Sequence, residues 1–389
     1  MSFRTRLWLL LISTPLVLFV GVGALLGATT PPAQAGFADL RLFGEIVQLI
    51  SSSYVEPVDI DKVMDGAMRG LADGLDPASA YLLPEEIQSI ENATPLPAAS
   101  VGIVITRQFY LRVVGVEDGS PAARAGIRTG DYLRMIDGKP TRDMSALTGT
   151  RLLHGAPGST VTVLLLRGNA ADPHEVKLAR EAPAGAVATS KRLPGGETYV
   201  RVTRFSSDAV ASLRQAAESA KSSATPGLII DVRGTADGAP ADGIAAARLF
   251  VKSGTIATLA GRDGKSVTTA APPDGAETNP VVLLVSNGTA NAAEVFAAAL
   301  QGNARATLVG EPTAGLAAVQ RLVKLPDNRA LWMTTQRYLT NAGAPIHERG
   351  LRPDVPVGEP QVAFGETPPT TDDALAKAVE QLKGKKPSA

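Results

Sequence analysis

The chain of 389 residues contains no cysteine, which excludes disulfides, thiolate nucleophiles and cysteine-ligated zinc together. Histidine is almost as scarce. His154, His174 and His347 are scattered, without the paired spacing of a zinc helix, so a histidine-based metal site is not expected. Each reads as an ordinary surface or loop histidine. Aromatic residues make up 4% of the chain against 44% hydrophobic residues, so the cores must be built from Ala, Val, Leu and Ile. Charge of one sign is missing too: 38 basic residues balance 38 acidic ones. Without a basic surplus, or a basic run interleaved with aromatics, the chain does not read as a nucleic-acid or polyanion binder. No cofactor is called for.

What is present begins at the N-terminus. Arg4 and Arg6 precede an apolar stretch over residues 7–28. It exceeds a secretory core of about 7–15 residues and reaches the ~20 needed to span a bilayer. The arginines would remain on the cytoplasmic side. Ala33-Gln34-Ala35 offers a small-x-small cleavage site. A retained single-pass anchor is favoured over a cleaved signal peptide. Either way the bulk of the chain is expected outside the cytoplasm, on the membrane or in the periplasm.

Residues 29–36 read as a linker. Leu40, Phe43, Val47 and Ile50 recur at helical spacing, Asp59 is placed to cap a second helix, and Pro84-Glu85-Glu86 opens a third. Residues 37–97 thus form an N-terminal helical region. From residue 98 the texture turns to β, with a Ser120-to-Gly126 helix stopped by glycine, an Asp137-Gly138 hairpin signal and a helix near 144–153. This unit closes near residue 182. Over 183–362 short apolar runs at 199–202, 228–232 and 281–285 alternate with Ala-rich helical stretches at 209–220, 241–251 and 292–300. That βαβ rhythm predicts an α/β core with buried parallel strands. Residues 363–389 hold a terminal helix and tail.

Three groups of motifs, in order along residues 37–357, resemble one family. Tyr54-Val55-Glu56 with Gly70-Leu71 and Leu75-Asp76-Pro77-x-Ser79-x-Tyr81-Leu82 form the first. Val101-Gly102-Ile103-Val104, Gly119-Ser120-Pro121-Ala122-x-x-Ala125-Gly126 and Gly130-Asp131 form the second. Val309-Gly310-Glu311-Pro312-Thr313, Thr334-Thr335-x-Arg337-Tyr338 and Gly350-Leu351-x-Pro353-Asp354-Val355 form the third. Together they resemble the carboxyl-terminal processing (tail-specific) serine peptidases of S41 type. The resemblance implies an N-terminal helical segment, a PDZ domain and a ClpP/crotonase-like peptidase core. A PDZ domain adds a peptide as a strand to a sheet edge and holds its terminal carboxylate on loop N–H groups. Ser100, Val101 and Gly102 stand where the family has Gly-Ile-Gly, so Ser100 replaces a glycine. Ser100, Val101, Gly102, Ile103 and Val104 are the candidate peptide-binding residues, with a plain edge strand as the alternative.

The resemblance also locates the chemistry, and the chemistry is missing. The family's serine nucleophile aligns with Asn291 in Gly288-Thr289-Ala290-Asn291-Ala292-Ala293-Glu294. Its lysine base aligns with Leu316 in Gly315-Leu316-Ala317-Ala318-Val319-Gln320, where only Gln320 is kept. Such a dyad needs a neutral lysine amine to take the hydroxyl proton. An amide nitrogen is a poor nucleophile and leucine accepts no proton. Losing one member of such a unit costs about 10⁴–10⁶ in turnover, and losing both costs little more. The family's oxyanion glycines fall at Asp237 and Gly238, where Asp237 brings a negative charge. Simple structural roles are also open: a helix N-cap for Asn291 and a core filler for Leu316.

Three functions follow from this pattern. The favoured one is a pseudo-peptidase that binds C-terminal or unfolded peptides through its PDZ groove. The second is an active endopeptidase using Ser286 or Thr289. The third is an anchored subunit that dimerises with an active relative, or with itself, through its helical ends.

Overall fold

A computed structural model describes residues 32–92, 95–168, 173–183, 185–221, 227–272, 278–367 and 369–384. The apolar stretch over residues 7–28 lies outside them. Among the described residues no helix is long and apolar enough to cross a membrane. Two compact units divide between Met68 and Arg69.

The first unit holds helix α1 (Pro32–Ser53) and the first half of α2 (Ile60–Asp73). α1 begins inside the expected linker because proline fits the first helical turn. Asp59 caps α2 as expected, its Oδ1 accepting the Lys62 N–H at 3.2 Å.

The second unit opens with β1 (Ala80–Leu82) and α3 (Pro84–Asn92). β1 is a strand within the region read as helical. It pairs antiparallel with a strand far along the chain, Leu82 opposite Ala330. Its residues are all buried.

The PDZ domain follows. Its sheet is built from β3 (Ile103–Gln108), β4 (Tyr110–Val116), β5 (Tyr132–Ile136), β7 (Thr160–Leu166) and β8 (His174–Ala179). A smaller pair joins β2 (Ala99–Ser100) to β6 (His154–Gly155). Helix α4 (Pro121–Arg124) starts at Ser120, whose hydroxyl caps the Ala123 N–H. Helix α5 (Ala146–Leu153) starts at Ser145, capped in the same way at Thr148. Asp137 and Gly138 both take positive φ, +47° and +73°, as a two-residue turn between antiparallel partners requires. Val101, Leu111, Val113, Leu133, Val163 and Leu165 form its core.

The peptidase-like core carries a sheet in the order β9 (Ala188–Arg192), β10 (Thr198–Val202), β11 (Leu228–Asp231), β14 (Val281–Val285), β15 (Ala306–Gly310) and β18 (Val355–Pro356). From β10 onward the neighbours are parallel. Alternate side chains leave on opposite faces, and both faces are covered. Ile230, Leu283 and Val285 pack beneath α6 (Ser207–Lys221), α7 (Pro240–Ala247) and α8 (Ala292–Gly302). Ile229, Val282 and Leu284 pack against Ala374, Ala378 and Leu382 of α9 (Asp373–Lys383). A second, antiparallel sheet joins β1, β12 (Thr255–Gly261), β13 (Ser266–Ala270), β16 (Ala318–Lys324) and β17 (Ala330–Leu339).

Candidate active-site cleft and PDZ loop

Three loops at the carboxyl ends of the parallel strands converge. They are residues 232–238 after β11, 286–291 after β14 and 311–317 after β15. Backbone bonds tie them together: the Ala290 N–H donates to Thr235 O at 3.0 Å and the Ala314 N–H to Thr289 O at 2.9 Å. Thr289, fully buried, donates to Val232 O at 2.8 Å and accepts the Ser286 N–H. Ser286, 2% exposed, accepts the N–H groups of Gly234 and Gly288. Both hydroxyls named as alternative nucleophiles are therefore engaged in holding loops.

Glu294, in the first turn of α8, is fully buried. Its carboxylate accepts from the Thr313 hydroxyl, the Gly315 N–H and the Leu316 N–H at 2.5, 2.6 and 2.7 Å. Burial pushes its pKa up, against these hydrogen bonds. Glu294 closes the same motif as Asn291, but its role comes from partners some twenty residues further along the chain. It fixes the strand-to-loop segment on which Leu316 sits.

Asn291 stands at the N-cap position of α8 but its side chain makes no cap bond. The expected capping role is therefore corrected. The Asn291 Nδ2 donates instead to Ala236 O at 2.9 Å. Its backbone is held at φ +51° and ψ −116°, a strained conformation for a residue with a side chain, of the kind surroundings must over-determine. Leu316 joins an apolar cluster with Val114, Ala236, Ala290, Val104 and Ala314, so it fills space as a leucine should. Gln320 lies on β16 and its amide reaches Thr334 at 3.3 Å. Gly238 takes φ +124° and packs against the Phe205 backbone. Its N–H is taken up by Asp237 Oδ1 at 2.8 Å, while Asp237 Oδ2 lies 3.6 Å from Arg204.

The PDZ domain packs closely against these loops. A side chain at Gly115 would lie 2.7 Å from Gly234 O, and one at Gly288 would lie 2.6 Å from Val114 O. Thr129 Oγ1 lies on the same seam, 2.8 Å from where a side chain at Gly288 would start, and donates within the PDZ domain to Val114 O at 2.9 Å. Arg201 on β10 pairs with Asp118 at 2.9 Å. Beside the seam lies an open cavity of 1240 Å³ whose lining includes Arg112, Lys191, Arg201, Arg233, Glu311 and Glu359. It does not include Asn291 or Leu316.

Two further pairs of side chains buttress the core. Arg233 clamps Asp231 at 2.6 Å and Asp372, the N-cap of α9, at 2.8 Å. Burial raises the Asp231 carboxyl, but Arg233 and Arg201 overcome it and hold the pKa below the usual value. His347, expected on the surface or in a loop, lies in a loop but is only 6% exposed and faces Asp76, Nε2 to Oδ2 3.7 Å. Burial works to raise Asp76, but His347, the Ala78 N–H, Thr334 and Ser79 outweigh it and lower its pKa to about 2.

In the PDZ loop, the structure gathers Ser100, Val101 and Gly102 immediately before β3, with Gly102 at φ +75°. Ile103 is buried in the domain core, whereas Val104 is half-buried and points into the Leu316 cluster. Among the described residues no group of carboxylates and histidines could hold a metal ion.

Comparisons with known proteins agree with this architecture. Residues 197–357 match the sequence model of peptidase family S41, and residues 112–167 that of a PDZ domain. A chloroplast C-terminal processing peptidase of Tetradesmus obliquus is 30% identical over 374 residues, covering 86% of this chain and 80% of its own length. A carboxyl-terminal-processing protease of Picosynechococcus is 30% identical over 323 residues, covering 82% and 78%. The solved structure of a photosystem II D1 C-terminal processing protease superposes with a TM-score of 0.66 at 28% identity, covering 82% of this chain and 92% of that one.

Proposed function

The chain belongs to the carboxyl-terminal processing peptidases of family S41, and from that premise we propose that it is a pseudo-peptidase that binds polypeptides without cleaving them. One observation carries the reading. At the positions the resemblance assigns to nucleophile and base stand an amide and an alkyl group, and both are built into their surroundings: Asn291 is bonded to Ala236 O and Leu316 is packed among apolar side chains. Acyl transfer needs a nucleophile beside a base and donors aimed at the developing oxyanion. Here the Gly238 N–H is already given to Asp237, whose carboxylate would repel that charge. An endopeptidase acting through Ser286 or Thr289 is not favoured, because both hydroxyls are buried and committed to backbone groups.

The partners within this reading are C-terminal or unfolded peptides in the PDZ groove and, through the helical ends, a second copy or an active relative. Arg4, Arg6 and the apolar residues 7–28 support placement on the outer side of a membrane, tethered or released. Protease protection of the chain in intact cells tests that placement.

The catalytic reading is tested with an unfolded protein substrate ending in apolar residues. The natural protein is expected to leave it intact. The variant Asn291→Ser, Leu316→Lys, with and without Asp237→Gly, asks whether the cleft is otherwise sound. Cleavage by the natural protein that persists through repurification would overturn the proposal.

A further inference from the structure

The PDZ loop departs from a carboxylate receptor in a way that defines what it accepts. A terminal carboxylate is held when consecutive loop N–H groups point at it unpaired. Here the Ser100 N–H donates to Glu181 O at 2.9 Å and the Val101 N–H to Leu153 O at 3.3 Å. The Gly102 N–H donates to the Ser100 hydroxyl at 3.1 Å, a bond that exists only because serine replaces glycine. Gly102 itself cannot change, since a side chain there would meet Ser120 Cβ at 2.2 Å.

The remaining donor is Ile103. The Glu117 N–H donates to Gly102 O while Ile103 lies opposite Val116. That pattern marks a non-hydrogen-bonded pair, so the Ile103 N–H points away from β4. Among the described residues β3 pairs with β4 and with no other strand, and α5 packs on its sheet. An edge for strand addition therefore remains while the anion receptor does not.

Charge around the loop agrees. A small pocket there is lined by Ser100, Gly102, Glu117, Asp118, Ser120 and Glu181, among others. Its neighbouring guanidinium groups are already engaged: Arg124 with Glu181 at 2.6 Å and Arg201 with Asp118 at 2.9 Å. Burial raises the Glu117 pKa, with Asp237 and Asp118 adding to it and Arg204 opposing.

We infer that this groove takes an extended internal segment of an unfolded polypeptide in preference to a free C-terminus, with Ser100 setting the preference. The inference rests on the reading that the PDZ domain binds polypeptide, and narrows its ligand class. Strand addition draws on backbone groups along β3 and needs no terminal charge.

The test uses the full-length protein in detergent and one dye-labelled apolar peptide in two forms, free acid and C-terminal carboxamide. Fluorescence anisotropy gives both affinities for the natural protein, Ser100→Ala and Ser100→Gly. The natural protein is expected to bind the carboxamide at least as tightly as the acid. Freeing the Gly102 N–H should tighten binding of the acid about tenfold, one charged hydrogen bond's worth, and leave the carboxamide unchanged. Carboxamide binding also reports that each variant is folded, and if neither variant folds the natural protein's ratio decides. A tenfold preference of the natural protein for the acid, or no response of the acid to either folded variant, overturns the inference and leaves the binding function standing. If neither form binds, the PDZ-binding reading itself fails and takes the inference with it.

Discussion

Two loops in this molecule hold backbone N–H groups where a relative would receive an anion, and each is stopped by an oxygen from its own neighbour. In the cleft the Gly238 N–H is given to the Asp237 carboxylate at 2.8 Å. In the PDZ domain the Gly102 N–H is given to the Ser100 hydroxyl at 3.1 Å. The difference lies in the blocking group. A carboxylate only accepts and repels a second negative charge, so Asp237 disfavours an anion at the Gly238 N–H it holds. A hydroxyl is neutral and both donates and accepts, so the PDZ loop is retuned rather than closed. The surroundings differ in the same sense. In the cleft, a close backbone seam at Gly115, Gly234 and Gly288 and the buried Glu294 hold the loops, whereas β3 has one strand neighbour among the described residues. On the proposed reading, catalysis is lost at several separate positions, Asn291, Leu316 and Asp237, while the edge of β3 stays available to polypeptide.

That contrast can be broken first at Glu294. Glu294→Ala strands three buried donors, each worth about 1–3 kcal/mol when unsatisfied, so a loss of about 3–5 kcal/mol is expected in denaturant unfolding. If the two loops are independent, the PDZ domain should still bind peptide at denaturant concentrations where the core has begun to unfold. The seam offers a second, smaller test. Gly288→Val drives a side chain into Val114 O and Gly234 and should cost about 1–3 kcal/mol by overpacking. Faster amide exchange at β4 would mark the PDZ domain lifting from the cleft, and it should occur without any gain of proteolysis.

The smallest effect concerns Asp76, which with His347 supports the 346–351 segment against Thr313 and Gly315. Its folded pKa of about 2 lies below the unfolded value of about 3.9. Its stabilisation is therefore complete above pH 4 and is lost as pH falls through 2. Asp76→Asn should flatten the acid limb of the stability curve by about 1–2 kcal/mol and leave peptide binding near neutral pH unchanged.

Much of this organisation is legible in the sequence because it is local. The apolar residues Leu228, Ile229 and Ile230 of β11 and the wholly apolar β14 announce buried parallel strands, and Asp137-Gly138 announces its turn. The family motifs place Asn291, Leu316 and Asp237 at the cleft. What escapes is set by distant partners. The strand at Ala80–Leu82 exists only because Ala330–Trp332 lies beside it. His347 is buried by the fold rather than by its neighbours in sequence. Asn291 is placed correctly as the residue before α8, yet its side chain serves Ala236 instead of the helix, because the strained backbone aims it across the cleft. The Ser100 substitution is visible in the sequence, but its bond to the Gly102 N–H appears only in three dimensions.

The central claim is that this protein holds polypeptide and leaves it whole, and intact mass spectrometry tests it directly. The full-length protein is mixed with an unfolded polypeptide ending in apolar residues, the complex is isolated after prolonged incubation, and the bound chain is weighed. The account predicts that polypeptide co-purifies at its full mass. Recovery of a chain shortened at its C-terminus, at a rate that follows this protein through repurification, would contradict it.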